Sequence, residues 1–96
     1  MIRYLRDEDF LEVVSSGTVL VDFYADWCGP CKMLGTILEE LDLEVLKVNT
    51  DEHQELAFQY GVMSIPTLIL FKDGNEVGKM IGLQSKDDIL NFVNNN

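Results

Sequence analysis

The sequence predicts an α/β protein: a central mixed β-sheet with helices on both faces, its elements ordered β-α-β-α-β-α-β-β-α. Three observations carry that expectation. Short strand-like apolar runs alternate with segments whose apolar residues recur at helical spacing. The strongest strand, residues 18–24, is largely apolar on both faces, as a strand covered on both sides must be. The last two strands are separated only by a tight turn, which adds antiparallel strands to the parallel ones that helical crossovers create. With 96 residues, the chain has room for one core, and it reads as a single domain over 1–96.

Taken in order, residues 2–5 form a weak first strand. Residues 7–15 read as a helix, with Asp7 as its cap and Phe10, Leu11, Val13 and Val14 as its apolar side. Gly17 ends this unit. In strand 18–24, Val19, Val21 and Phe23 point one way and Leu20, Asp22 and Tyr24 the other. A helix follows over about 29–41, with Cys31, Leu34, Leu38 and Leu41 on one stripe. Residues 44–49 form a strand. Thr50 can cap a helix over 51–60, whose positive end suits Asp51 and Glu52, and Gly61 stops it. Strand 66–71 begins at a proline, where no ladder donor is needed. Lys72-Asp73-Gly74-Asn75 turns the chain back into strand 76–82. Ser85-Lys86-Asp87-Asp88 opens the last helix as a capping box.

Composition narrows the function. Seventeen acidic residues stand against seven basic ones, a net charge of −10. An acidic body is not drawn to a polyphosphate or to an anionic leaflet, so neither nucleic acid nor membrane is an expected partner. No run approaches the length needed to span a bilayer. The first eight residues turn charged at once, without the apolar stretch of a signal peptide. The expected location is cytoplasmic, where a cysteine pair serves catalysis, redox sensing or metal binding more often than permanent cross-linking.

The chemistry concentrates in Cys28-Gly29-Pro30-Cys31. This loop leaves the carboxyl end of a buried strand, where α/β proteins place their sites, and it opens a helix. Free N–H groups and the partial positive charge of a helix start stabilise a thiolate at Cys28, and the thiolate is the species that attacks disulfides. Two intervening residues let the second sulfur reach the first across one helical turn. Pro30 costs no helix hydrogen bond in the first turn, and Gly29 leaves room for a partner chain. Cys31, one turn deeper on the apolar stripe, is expected to be more buried and less ionised. Three other readings compete. Half a zinc site lacks a second cysteine pair and has only His53 to draw on. A structural disulfide closing so short a loop constrains little of the unfolded chain. A cysteine protease needs a positioned histidine. Reversible dithiol chemistry fits the residues best.

At this loop the sequence resembles the thioredoxin family. The stretch from Val21 to Met33, Val-Asp-Phe-Tyr-Ala-Asp-Trp-Cys-Gly-Pro-Cys-Lys-Met, is close to that family's signature. Lys47 in Lys-Val-Asn-Thr-Asp, Tyr60-Gly61-Val62, Ser64-Ile65-Pro66-Thr67, Asp73-Gly74 and Ile81-Gly82 follow in family order. The resemblance implies the thioredoxin fold and a reductase of protein disulfides that needs no cofactor or metal. It implies Cys28 as nucleophile and Cys31 as resolving thiol. Asp22 resembles the buried carboxylate that handles the Cys31 proton, and Lys47 the lysine beside it. Pro66 resembles the cis-proline facing the disulfide. Trp27, Gly29, Pro30, Ile65 and Gly82 resemble the flat apolar surface that docks substrates. A thioredoxin reductase drawing on flavin and NADPH is the implied electron donor, and a monomer the expected state. A disulfide oxidase or isomerase, and a non-catalytic binding subunit on the same fold, are the alternatives.

Independently of the resemblance, Asp22 sits among apolar neighbours, so burial should raise its pKa towards a value useful to a general base. On patterning alone it could also lie at a solvated strand edge. Lys47 alternates with Val45 and Asn49, which fits a solvated face equally well. Trp27 could be core, Met63 reads as packing or loop, and His53 as a solvated residue in a helix's first turn. Three departures stand out. Gly35-Thr36 occupies the place of a helix-kinking proline, and Gly35 costs about 1 kcal/mol in a helix interior. Tyr24 stands where bacterial members often carry tryptophan. The short link from Glu40 to Val45 implies that the second helix ends early.

Overall fold

The computed structural model describes all residues from Met1 to Asn96. Nine elements follow one another: β1 (Ile2–Tyr4), α1 (Phe10–Val13), β2 (Thr18–Tyr24), α2 (Gly29–Glu39), β3 (Val45–Asn49), α3 (Gln54–Gln59), β4 (Thr67–Lys72), β5 (Asn75–Ile81) and α4 (Lys86–Asn94). The five strands form one sheet in the order β1-β3-β2-β4-β5. β1, β3 and β2 run parallel, while β4 is antiparallel to β2 and β5 to β4.

Going from β1 out to β2 and back to β3 reverses direction across the sheet. Right-handed connections then require α1 and α2 to lie on opposite faces. The packing agrees. On one face Val21, Phe23, Leu46, Val48, Ile69 and Phe71 pack with Phe10 and Val14 of the α1 segment and Ala57 of α3. On the other, Leu20, Val45, Leu68 and Leu70 pack with Leu34 and Leu38 of α2 and Ile89 of α4. The period-two alternation read from β2 thus assigns its residues to two separate cores.

Two helix starts, those of α1 and α3, differ from the sequence reading. Asp9, not Asp7, caps α1: its Oδ1 accepts from the Leu11 N–H at 3.2 Å. α3 begins at Gln54 rather than 51. Thr50 turns away from it, its N–H and hydroxyl both donating to the Tyr24 carbonyl. The free amides of Asp51 and Glu52 are taken up by Asn49 Oδ1 at 2.9 and 3.3 Å. Asn49 wins because its side chain stays buried at the end of β3. The N-cap position of α3 is His53, which is half-buried and places Nε2 3.2 Å from the Leu5 carbonyl, not in solvent. α2 does end early, at Glu39. Ser85 caps α4 by accepting from the Asp88 N–H at 3.1 Å.

The β4–β5 turn is centred on Asp73 and Gly74, with φ of 50° and 87°. Two positive-φ residues between antiparallel strands match the twist of a two-residue hairpin. Asp73 is also tied to Gly17 by two hydrogen bonds, backbone and side chain, which close the end of the sheet remote from the cysteines. A register shift between Leu70 and Phe71 places a bulge in the β4–β5 ladder.

Candidate active site

The site stands at the carboxyl end of β2, the middle strand of the sheet. Cys28 is the N-cap residue of α2, with extended φ and ψ, and its sulfur accepts from the Cys31 N–H at 3.2 Å. A sulfur that receives a helix-start amide sits where negative charge is best stabilised. Pro30 falls in the first turn, where its missing N–H costs nothing. Cys28 and Cys31 are joined as a disulfide with their Cα atoms 5.2 Å apart. Both are buried, Cys31 more deeply, and they pack with Ala25, Tyr24 and Ile65.

The loop before β4 closes the site from the other side. The Ile65–Pro66 peptide bond is cis. Cys28 Sγ lies 3.9 Å from the Ile65 carbonyl oxygen. The Gly82 N–H donates to the Pro66 carbonyl at 2.8 Å, which fastens the end of β5 to the same loop. Around the disulfide, Gly29 and Pro30 are exposed, and Ile65 and Gly82 half-exposed. A Cβ built on Gly29 or Gly82 would meet nothing within 4 Å. Trp27 is 70% exposed, so it is not core; its indole N–H donates to Asp51 Oδ2 at 2.9 Å. Met33, Met63, Ile81 and Leu83 are exposed as well.

Asp22 is fully buried. The solvated-edge possibility fails because β2 has a neighbour on each side and a helical layer on each face. Lys47 is its register partner on β3, and Lys47 Nζ stands 3.6 Å from Asp22 Oδ2. That distance makes an ion pair without a hydrogen bond, and neither Asp22 oxygen has a hydrogen-bond partner. Burial pushes the Asp22 carboxyl up from 3.8 to about 6, and the Lys47 ammonium limits the rise. Lys47 itself is only 9% exposed, so the solvated face allowed for Val45, Lys47 and Asn49 does not exist. Cys31 and Lys47 line one small cavity of about 150 Å³, together with Tyr4, Tyr24, Ala25, Asp26 and Lys32.

The thioredoxin family model matches residues 1–95. The chain belongs to the thioredoxin family. It is 50% identical over 99 aligned residues to a thioredoxin of Chlamydia caviae, covering 98% of this chain and 97% of that protein. It is 48% identical over 94 residues to a thioredoxin of Bacillus subtilis, covering 92% and 90% of the two chains. The structure of a mutant thioredoxin from Halobacterium salinarum superposes with a TM-score of 0.90 at 41% identity, over 98% of this chain and 88% of that one. The mixed five-stranded sheet is therefore a thioredoxin fold. The thioredoxin family membership and the paired cysteines identify a thiol–disulfide oxidoreductase that reduces protein disulfides.

Sequence reasoning missed four residues beside this thioredoxin site. Asp51 receives the Trp27 indole. Asn49 organises the turn after β3, and its amide Nδ2 lies 3.5 Å from Asp26 Oδ2. Tyr4 and Tyr24 enclose Lys47, and burial, with Asp26 nearby, pushes the Tyr24 hydroxyl pKa up. The available signal was the face alternation that puts Tyr24 beside Asp22. No helix of the protein is long and apolar enough to cross a membrane.

Proposed function

We propose that Cys28 is the attacking nucleophile and Cys31 the resolving thiol of a two-electron exchange in which Asp22 handles the proton of Cys31. The single observation that carries this assignment is the position of Cys28 at the N-cap of α2, its sulfur against a helix-start amide. In the reduced protein the Cys28 thiolate attacks a substrate disulfide. One substrate sulfur leaves as a thiolate and takes a proton, and a mixed disulfide forms. Asp22 accepts the proton of Cys31. The Cys31 thiolate then attacks Cys28 Sγ, forms the Cys28–Cys31 disulfide and expels the second substrate sulfur. Two electrons pass to the substrate; its first sulfur takes a proton from water, and the proton that Asp22 received from Cys31 balances the second.

Lys47 is assigned to hold the ionised Asp22. Trp27, Gly29, Pro30, Ile65, Pro66 and Gly82 are assigned to receive an extended substrate segment; their exposure around Cys28, with Pro66 as the buried floor, supports this. The whole of 1–96 acts as one domain, as a monomer in the cytoplasm. It carries electrons from a flavin-dependent, NADPH-driven thioredoxin reductase to disulfide-bearing proteins.

The test is trapping. Cys31→Ser accumulates a mixed disulfide with substrate protein through Cys28, seen by mass spectrometry, and Cys28→Ser forms none and does not turn over. Absence of any adduct with Cys31→Ser overturns the assignment of the two thiols.

A further inference from the structure

We propose that Gly35, Tyr24 and Tyr4 form a cage that holds the Lys47 ammonium against Asp22, and so act as positioning residues for the resolving step. This inference rests on the Asp22–Lys47 role proposed above.

The sheet register sets up the cage. Tyr4, Lys47 and Asp22 are Cα partners across β1, β3 and β2, one row on neighbouring strands. Tyr24 follows two residues after Asp22, so it points to the same face. Lys47 Nζ lies 4.4 Å from the Tyr24 ring centroid and 5.7 Å from that of Tyr4. The two rings meet edge to face, 6.3 Å apart at 76°. Both cation–ring distances fall within the range in which a ring face attracts a cation. The third wall comes from α2. A Cβ built on Gly35 would stand 3.2 Å from Lys47 Nζ. Any side chain there crowds the ammonium, which accounts for the poorest helix former short of proline in the middle of α2.

An uncaged lysine swings its charged end towards water. Here the ammonium is kept where it is the only cationic partner of a carboxylate without hydrogen bonds. The other titratable or charged groups around the cage are Asp26, Cys31 and Lys32, on the same cavity wall, Glu52, whose charge acts on the Tyr24 hydroxyl, and Arg6, 5.5 Å from the Tyr4 ring. None of them is paired with Asp22.

The experiment follows the Asp22 carboxyl by carbon NMR and the resolving rate by stopped flow against pH, in four variants. Gly35→Ala moves the ammonium while improving the helix. The Asp22 midpoint is expected to rise by about half to one pH unit, as partial loss of an opposite charge requires, and the pH profile of resolution to rise with it, although the thermal midpoint does not fall. Tyr24→Leu shifts both in the same direction, and Tyr24→Phe, which keeps the ring face, restores the Asp22 midpoint. Lys47→Met sets the limit. If Lys47→Met moves both readouts and neither Gly35→Ala nor Tyr24→Leu does, the cage is overturned and the ion-pair role stands. If Lys47→Met moves neither, the ion-pair role fails and the cage with it. Should Tyr24→Leu not fold, Gly35→Ala decides.

Discussion

Asp22 and Lys47 are register partners on adjacent parallel strands, and their charged ends face each other 3.6 Å apart inside the protein. The carboxylate has no other polar partner. Removing charge from water is costly unless it is well paired, and this pairing is incomplete. The protein therefore carries in its interior a carboxyl whose ionisation is finely balanced.

Stability should record that balance. Asp22 ionises near 3.8 when unfolded and at about 6 in the native protein. Between those values the native state binds the extra proton, so stability falls as pH rises. From about pH 4 to pH 7 this residue should remove up to about 3 kcal/mol. Denaturant unfolding at the two pH values measures it. Asp22→Asn should show a shallower decline, and parallel curves for the two proteins would contradict a native carboxyl that titrates high.

Kinetics should separate the two thiol steps. Asp22→Asn is expected to slow resolution by about 100- to 10,000-fold, the usual range for losing a general base, while the first attack changes little. Stopped-flow traces with a disulfide substrate resolve both phases. Equal slowing of the two would sink the proton-handling role of Asp22.

The direction of electron flow is set by the Cys28–Cys31 potential. Trp27 is the sole tryptophan and adjoins Cys28, so its fluorescence in dithiothreitol buffers reports the equilibrium. A value near that known for thioredoxin, about −270 mV, is expected. A value near −120 mV, roughly that of a strong oxidase, would reverse the assignment.

Docking should depend on the rim of the disulfide. Ile65→Lys places a charge beside Cys28 on a half-exposed apolar position. It should raise KM for protein substrates with little change in the rate towards a small disulfide such as oxidised glutathione. An unchanged KM would move the docking surface elsewhere.

Much of this was legible in the sequence. The apolar alternation of residues 18–24 located the middle strand and both cores, and the cysteine spacing located the site. The starts of α1 and α3 were not legible, because Asp7 and Asp9, or Thr50 and Asn49, compete for the same free amides and burial decides between them. Lys47 was ambiguous for a related reason. A lysine flanked by Val45 and Asn49 reads as exposed until the sheet order shows Tyr4 on one side of it and Asp22 on the other. Gly35 read as a helix defect, since only the tertiary structure brings Lys47 beneath it.

The outer strands have a consequence for how the molecule meets others. β1 is three residues long, and β5 carries a bulge together with Glu76 and Lys79. Short, charged or bulged borders discourage strand-to-strand recruitment of another chain. Neither flank offers a flat template for a neighbour, so copies at high concentration have little means of zipping into aggregates.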